Sequence, residues 1–234
     1  MEINGEIYHF DGIVAGADYH HVEQALLSED FRNYTSSYWN NREMAPSSLL
    51  FYIGLDIKMK NFQHHTLFFD QDFDEHAKEI YDDPKWPTSP LFYMCCSSIT
   101  DDTVAPNGKE NIMILIPLAP GLEDSDKMRE FYFDMILKRI NDLTDNDIKD
   151  HILVKESYCV SDFEKDYHAF KGNAYGLANT LRQTAILKPS MRNKKLKNLY
   201  YTGQLTVPGP GVPPSIISGQ IVATEIDKYL KKAS

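Results

Sequence analysis

Residues 198–225 read NLYYTGQLTVPGPGVPPSIISGQIVATE. This stretch predicts a short apolar strand over residues 199–202, a loop dense in glycine and proline, and an amphipathic helix over about residues 213–230. Proline suits the first turn of a helix, because its missing N–H would have no partner there. Glycines let the loop backbone approach a flat ligand, and the positive end of the helix dipole suits an anionic or electron-rich one. An ordinary strand-turn-helix connection has the same composition, so both interpretations stand.

Three further features extend this stretch into a family resemblance. Residues 203–213 follow the pattern Gly-x-x-Thr-x-Pro-Gly-x-Gly-x-Pro, and Ser218-Gly219 lies in the helix after it. Upstream are YHAFKGNAYGLANTLRQ at residues 167–183 and KPS at residues 188–190, and DGIVAGADY occupies residues 11–19. Together these blocks resemble the phytoene desaturase family of FAD-dependent carotenoid desaturases and isomerases. The resemblance covers nearly the whole chain and is most specific over residues 167–226.

The family's opening motif is missing from this resemblance. Family members begin with a strand, Gly-x-Gly-x-x-Gly and a helix, which hold the FAD pyrophosphate. Here Gly5, Gly12 and Gly16 do not have that spacing. We therefore expect the C-terminal half of a two-domain FAD-dependent oxidoreductase with a mixed α/β (α+β) fold. The resemblance implies a returning segment of the FAD-binding domain at residues 1–27, a substrate-binding subdomain at 28–165 and the C-terminal part of the FAD-binding domain at 166–234.

The activity implied by the resemblance is oxidation of C–C single bonds of a long polyene to double bonds, with hydride transfer to FAD. A phytoene or carotenoid desaturase is the first hypothesis. The alternatives are a sister flavoenzyme (a carotenoid isomerase, a retinol saturase-like or an amine-oxidase-like protein) and a non-catalytic truncated module. The chain alone is expected to retain FAD weakly and to need the N-terminal half for activity. No catalytic residue is assigned. The residues expected at the cofactor are Gly203, Gln204, Gly211, Val212, Pro213, Ser215 and Ile216.

Charge and cysteine content limit the classes of partner. A formal net charge of -10 argues against nucleic acid, whose phosphates need clustered Lys and Arg. Three cysteines give no disulfide framework and fit a reducing compartment. No apolar run approaches the roughly 20 residues that span a bilayer. With the resemblance, these features predict a cytoplasmic protein that contacts the inner face of the membrane peripherally. Its expected partners are a hydrophobic polyene substrate and either an N-terminal half or a second copy of the chain.

Hydrophobic periodicity and turn signals predict the remaining elements. Asn4-Gly5 indicates a hairpin, and Asp18 is expected to cap a helix over residues 19–27. The polar stretch 28–47 is interpreted as a linker. Together the elements predict an antiparallel-leaning sheet with helices on one side, in which residues 49–53 would be covered on both faces. Strands are expected over residues 13–15, 48–57, 66–69, 91–97, 111–117 and 151–157, and helices over 72–81, 125–143, 145–148 and, opened by a capping box, from 161.

The predicted sheet offers a candidate floor for an apolar cavity. A long polyene would bind through buried area, at about 25 cal/mol per Å2. Aromatic strand residues are more commonly core, and that alternative stands beside the cavity. The residues concerned are Phe51, Phe68, Phe69, Phe92, Tyr93, Met94, Met113 and Leu115.

Histidine and cysteine pairs are the remaining candidates for chemistry. Adjacent histidines do not have the i, i+4 spacing that places two imidazoles on one metal, and adjacent cysteines in a strand have no matching partners in the sequence. No metal site is therefore predicted. The pairs are His20-His21, His64-His65 and Cys95-Cys96.

Overall fold

The structure is a computed structural model that describes residues 1–233. These residues divide into two units. Unit 1 comprises residues 1–45, 165–170 and 174–233, and unit 2 comprises residues 46–164 and 171–173. Unit 1 thus holds the two segments that the resemblance assigns to the FAD-binding domain, except residues 171–173, together with residues 28–45.

The described residues form nine strands, six α-helices and short 3-10 or π-helical turns. The strands are β1 (Glu2–Ile3), β2 (Glu6–Ile7), β3 (Ile13–Ala15), β4 (Ser47–Leu55), β5 (His65–Phe68), β6 (Phe92–Cys95), β7 (Glu110–Leu118), β8 (Ile152–Tyr158) and β9 (Leu199–Tyr201). The α-helices are α1 (Tyr19–His21), α2 (Ser36–Asn40), α3 (Phe73–Tyr81), α4 (Asp126–Thr144), α5 (Val160–Tyr167) and α6 (Val212–Ala233). A π-helical turn, Val22–Leu26, continues α1, and the 3-10 turns are Glu29–Phe31, Ser97–Ile99, Lys149–His151, Phe170–Gly172 and Ala185–Leu187.

Unit 2 is built on a five-stranded antiparallel sheet in the order β5-β6-β7-β4-β8. Apolar residues alternate along β4 and β7, so Phe51 and its partner Ile114 lie on one face and are fully buried. Helix α4 packs on this face, where the ring of Phe51 lies 4.9 Å from that of Phe133. The prediction of a mixed α/β fold with a largely antiparallel sheet is confirmed.

The prediction that residues 49–53 are covered on both faces is wrong. Leu49, Phe51 and Ile53 are buried, whereas the side chain of Tyr52 is 48% exposed. Alternate side chains of this apolar run therefore lie on a core face and on an exposed face. We call the exposed face, which carries Tyr52, the open sheet face. An apolar side chain in a strand does not by itself reveal whether its face is covered.

Helix α4 is confirmed, and Tyr132, Ile136 and Ile140 are buried along it. Phe131 is 56% exposed, whereas Phe133 and Leu137 are buried. The helix carries two overlapping apolar stripes, and the sheet selects one of them. Arg129 lies on the buried side because its guanidinium pairs with Asp124 at 3.0 Å and with Asp162 at 2.8 Å.

Two smaller predictions in unit 2 are wrong. Residues 145–148 do not start a helix, because Asp145 adopts a left-handed φ of 56° and ends α4. Ser161 does not cap a helix, because α5 begins one residue earlier, at Val160. Its hydroxyl instead donates to Asp124 Oδ1 at 2.8 Å.

Unit 1 contains a two-stranded parallel sheet and an aromatic core. Strand β3 pairs with β9 in the register Ile13↔Leu199 to Ala15↔Tyr201. The predicted hairpin is confirmed, with Asn4 and Gly5 at φ 51° and 83° between β1 and β2. The core centres on Tyr19, whose ring meets those of Trp39 and Tyr201 edge-on.

The stretch interpreted as a linker is folded in unit 1. Trp39, in α2, is fully buried, and Thr35 caps this helix by accepting the N–H of Tyr38. The predicted capping role of Asp18 is confirmed, since its carboxylate accepts the N–H of His21 at 2.9 Å. Within residues 1–233, no helix combines the length and the apolar character that crossing a membrane requires.

Candidate functional site

The glycine-rich loop between β9 and α6 has a backbone that side chains rarely adopt. Gly203, Gly209 and Gly211 have φ values of 107°, 136° and 107°. L-residues are strained in this region, so the loop conformation requires glycine at these positions. A Cβ at Gly203 would meet no described heavy atom within 4 Å, so space for a ligand lies beside its backbone.

Ser218 fixes the position of this loop against α6. Its fully buried hydroxyl accepts the N–H of Gly203 at 3.0 Å. It also shares hydrogen bonds with the hydroxyls of Thr202 at 2.8 Å and Thr206 at 2.9 Å. The Ser-Gly of the helix and the Thr of the loop pattern thus form one polar cluster that holds the bend.

The start of α6 is exposed and partly apolar. The helix begins at Val212, one residue before the predicted start, and Val212 and Ile216 are 75% and 59% exposed. The first turn of α6 has few free N–H groups, because Pro213 and Pro214 have none and that of Ser215 bonds to Gly211. Attraction of a negative group here therefore depends on the helix dipole and on the N–H of Val212.

Lys188 is a buried cation beside the same loop. Lys188 is 5% exposed, and its Nζ has no hydrogen-bond partner among residues 1–233. A Cβ at Gly209 would lie 3.1 Å from Lys188 Cε and 3.4 Å from Nζ, so the lysine packs closely against this glycine. Burial lowers the pKa of Lys188 below its ordinary value. An anionic group placed beside this ammonium would satisfy its buried charge.

A cavity of about 520 Å3 extends beside Lys188. Lys188 lies in one of the sequence blocks that carry the resemblance, and no role for it was predicted from the sequence. Burial of a lysine by loop packing leaves no signal in the local sequence pattern. The cavity is lined by Ala185, Ile186, Lys188, Pro189, Ser190, Met191 and Val207.

The predicted cofactor residue Gln204 packs against the upstream block. A Cβ at Gly176, which has φ of 79°, would lie 2.9 Å from the carbonyl oxygen of Gln204. Gln183 braces the same block, since its Nε2 donates to the carbonyl of Ala178 at 3.0 Å. The two blocks that carry the resemblance are therefore adjacent in unit 1.

Histidines cluster at the start of α1 in unit 1. His20 lies between Trp39 and Phe170, with its ring 4.0 Å from that of Phe170. Burial, and then the neighbouring His21, lower the pKa of His20 to about 4. The ring of His21 stacks on that of His168 at 4.0 Å. His20 is therefore neutral at pH 7.

The open sheet face of unit 2 carries two apolar depressions. One, of about 460 Å3, lies over Tyr52 and Met113, and the other, of about 270 Å3, lies between α3 and the residues Phe69 and Tyr93. Four of the predicted cavity residues are buried in the core, as the alternative interpretation held, and one of them, Phe92, also lines the smaller depression. They are Phe51, Phe68, Phe92 and Met94.

Comparison with known proteins identifies the family. The chain is 43% identical over 221 residues to carotenoid 3,4-desaturase of Haloarcula japonica, and the match covers 94% of this chain. It is 29% identical over 242 residues to 4,4'-diapophytoene desaturase of Staphylococcus aureus, which covers 99% of this chain. This chain belongs to the carotenoid desaturase family.

The match to carotenoid desaturases has a limited extent. The chain spans 45% of the Haloarcula protein and 48% of the Staphylococcus protein, about half the length of the curated relatives it matches. A solved structure of an oxidoreductase from Methanosarcina mazei has the same fold, with a TM-score of 0.57 at 13% identity over 94% of this chain and 44% of that one. No family model matches the chain.

The carotenoid desaturase family is generally flavin-dependent, and the residues of unit 1 fit such a group. The backbone at Gly203 has open space beside it, which suits a flat ligand. The partnerless ammonium of Lys188 suits an anionic part of that ligand. The apolar side chains of Val212 and Ile216 are exposed at the start of α6.

Proposed function

We propose that this chain is the C-terminal portion of an FAD-dependent carotenoid desaturase, which oxidises C–C single bonds of a long polyene to double bonds. The observation that carries the proposal is the 43% identity to carotenoid 3,4-desaturase over 94% of the chain. The open glycine backbone and the buried lysine of unit 1 support a cofactor role for the loop.

In this proposal the cofactor residues of unit 1 bind and orient FAD. Gly203 and Gln204 meet it through their backbone, and Gly211, Val212, Pro213, Ser215 and Ile216 meet it at the start of α6. The ammonium of Lys188 pairs with an anionic group of the cofactor, because an ion pair would satisfy its buried charge. When bound, FAD supplies the hydride acceptor for the desaturation. The side chains of this chain need only position the reactants and exclude water.

We propose that the open sheet face of unit 2 forms part of the polyene site. Tyr52, Met113 and Leu115 lie on it as exposed or half-buried apolar side chains. An apolar substrate is held by the area it removes from water, about 25 cal/mol per Å2. The part of the open sheet face beside α3 is lined by neutral side chains. Its one imidazole, His76, is buried and accepts the N–H of Leu91, and burial is the main cause that lowers its pKa.

Peripheral membrane contact follows from the solubility of a polyene in lipid. Leu181 and Ile186 in unit 1 are 92% and 95% exposed, and Leu187 is 51% exposed. Exposed apolar side chains in one segment support insertion into the lipid surface. The double change Leu181→Ser and Ile186→Ser should lower co-sedimentation with phospholipid vesicles. Ile7→Ser, which removes another exposed isoleucine of unit 1, should leave it unchanged.

Coexpression tests the proposed function. This chain is produced together with the portion of the Haloarcula relative that it does not match, in cells that accumulate a carotenoid with bonds left to desaturate. We expect pigments whose absorption maximum moves to longer wavelength, because each new double bond extends conjugation. The same cells lacking this chain are the control. A soluble complex that contains FAD but leaves the pigments unchanged would contradict the desaturase proposal and favour a sister flavoenzyme.

A further inference from the structure

Two adjacent histidines and one cysteine converge at one end of the β5–β6 pair. His65 is directly opposite Cys95 in the antiparallel register, and the N–H of Cys96 bonds to the carbonyl of His64 at 2.8 Å. One ring nitrogen of each histidine and Cys95 Sγ all lie within 4.8 Å of one another. Cross-strand pairing creates this cluster, so the spacing within either segment gives no sign of it.

The donor set fits a borderline metal cation. Imidazole nitrogen and thiolate sulfur are the ligands that Zn2+ takes in proteins, commonly four around a tetrahedron. With bond lengths near 2.0 Å to nitrogen and 2.3 Å to sulfur, tetrahedral ligand atoms stand about 3.5 Å apart. Tetrahedral binding would bring the three ligand atoms closer together than the 4.8 Å within which they now lie, and His65 is exposed.

Hydroxyl groups already orient both rings. His64 Nδ1 lies 2.5 Å from Thr100 Oγ1, and His65 Nδ1 lies 2.6 Å from the hydroxyl of Tyr93. Metal-binding histidines usually have such a partner on the second ring nitrogen, which fixes the tautomer and the ring plane. A cation would take Nε2, or Nδ1 after displacing the hydroxyl.

We propose that His64, His65 and Cys95 form a three-ligand site for Zn2+ or a similar divalent cation, with a fourth position left to water or to an added ligand. The site fastens β5, at the edge of the sheet, to β6. It is independent of the proposed flavin chemistry, since its residues all belong to unit 2 and those assigned to FAD belong to unit 1.

Cobalt substitution tests this site in the full chain. Co2+ bound by a thiolate gives a sulfur-to-metal charge-transfer band in the near ultraviolet and intense visible bands when tetrahedral. We expect one Co2+ per chain with both features, displaced by added Zn2+. The other two cysteines, Cys96 and Cys159, are fully buried, so the charge-transfer band reports on Cys95.

Single variants separate the proposed site from adventitious binding. Cys95→Ser should abolish the charge-transfer band, and His64→Gln and His65→Gln should each weaken Co2+ binding at least tenfold. His151→Gln changes a partly exposed imidazole elsewhere in unit 2 and should bind as the unchanged chain does. Far-ultraviolet circular dichroism confirms folding, and His65→Gln keeps the test decisive if Cys95→Ser misfolds. Absence of the band from the unchanged chain overturns the proposal, and so does a Co2+ affinity in both histidine variants equal to that of the unchanged chain.

Discussion

Lys188 carries a structural cost, and in the proposed function it also pairs with the cofactor. Its ammonium is buried without a partner among the described residues, and burial of an unpaired charge destabilises a fold. Replacement by methionine keeps an unbranched side chain and removes the charge. We expect Lys188→Met to raise the free energy of unfolding by about 1 kcal/mol. The same change should weaken FAD binding in the assembled protein about tenfold.

Urea unfolding and FAD titration measure the two effects of Lys188→Met. The folded chain has the lower lysine pKa, so the unfolded chain binds more protons as pH rises toward the ordinary value of 10.5. The free energy of unfolding of the unchanged chain should therefore rise with pH in that range, and Lys188→Met should lack this rise. Lys195→Met, at an exposed lysine of unit 1, is the control. A less stable Lys188→Met protein with unchanged FAD affinity would show that the lysine is structural.

His20 predicts acid sensitivity of unit 1. Its pKa falls from 6.5 to about 4 on folding, chiefly by burial and then through His21. Between these values the unfolded chain binds the proton and the folded chain does not, so stability is lost as pH falls from about 6.5 to about 4. His20→Phe preserves a ring beside Phe170 and should flatten this dependence. Thermal unfolding at pH 7 and pH 5 measures it, with exposed His9→Phe as the control; an equal slope in both variants contradicts the assignment.

At the scale of elements, a buried carboxylate joins β9 to the segment after α1. Glu23 is fully buried, and it accepts the N–H groups of Asn33 at 2.7 Å and Tyr34 at 3.0 Å and the hydroxyl of Tyr201 at 3.0 Å. Burial raises its pKa, while these donors lower it. Because β9 leads into the glycine-rich loop, this carboxylate helps to set where that loop begins.

Glu23→Gln tests the importance of that junction. The amide NH2 of glutamine cannot accept, so one backbone N–H loses its partner inside the core. We expect the free energy of unfolding to fall by about 1–3 kcal/mol in urea titrations. Glu29→Gln, at an exposed glutamate, should change it by less than about 0.5 kcal/mol. If the two variants unfold at the same urea concentration, the carboxylate does not hold the junction.

Local chemistry made some elements predictable and left others hidden. Capping by Asp18 and the turn at Asn4-Gly5 are set within a few residues, and the structure confirms each. The exposure of Tyr52 and the burial of Lys188 depend on what packs against a segment from elsewhere in the chain. Both depend on tertiary packing. Periodicity therefore identified the strand, but it did not show that the face carrying Tyr52 is exposed or that Lys188 is buried.

At the scale of the whole molecule, FAD binding is expected to be shared between this chain and the dinucleotide-binding portion. The chain offers Gly203, Lys188 and the start of α6, but its sequence has no Gly-x-Gly-x-x-Gly turn for the pyrophosphate. FAD should therefore separate from the chain alone during gel filtration and remain with the coexpressed complex. The ratio of flavin to protein absorbance in the eluted peak measures this.

The FAD content of two variant complexes tests whether Lys188 of this chain helps to retain the cofactor. A complex carrying Lys188→Met should elute with less FAD than one carrying Lys195→Met, because only the first removes the cation beside the loop. Equal FAD content in the two complexes would mean that the dinucleotide-binding portion holds the cofactor without help from Lys188. Stoichiometric FAD on the chain alone would instead show that the loop and α6 hold it without the pyrophosphate turn. The division of binding between the two portions can thus be measured independently of desaturation.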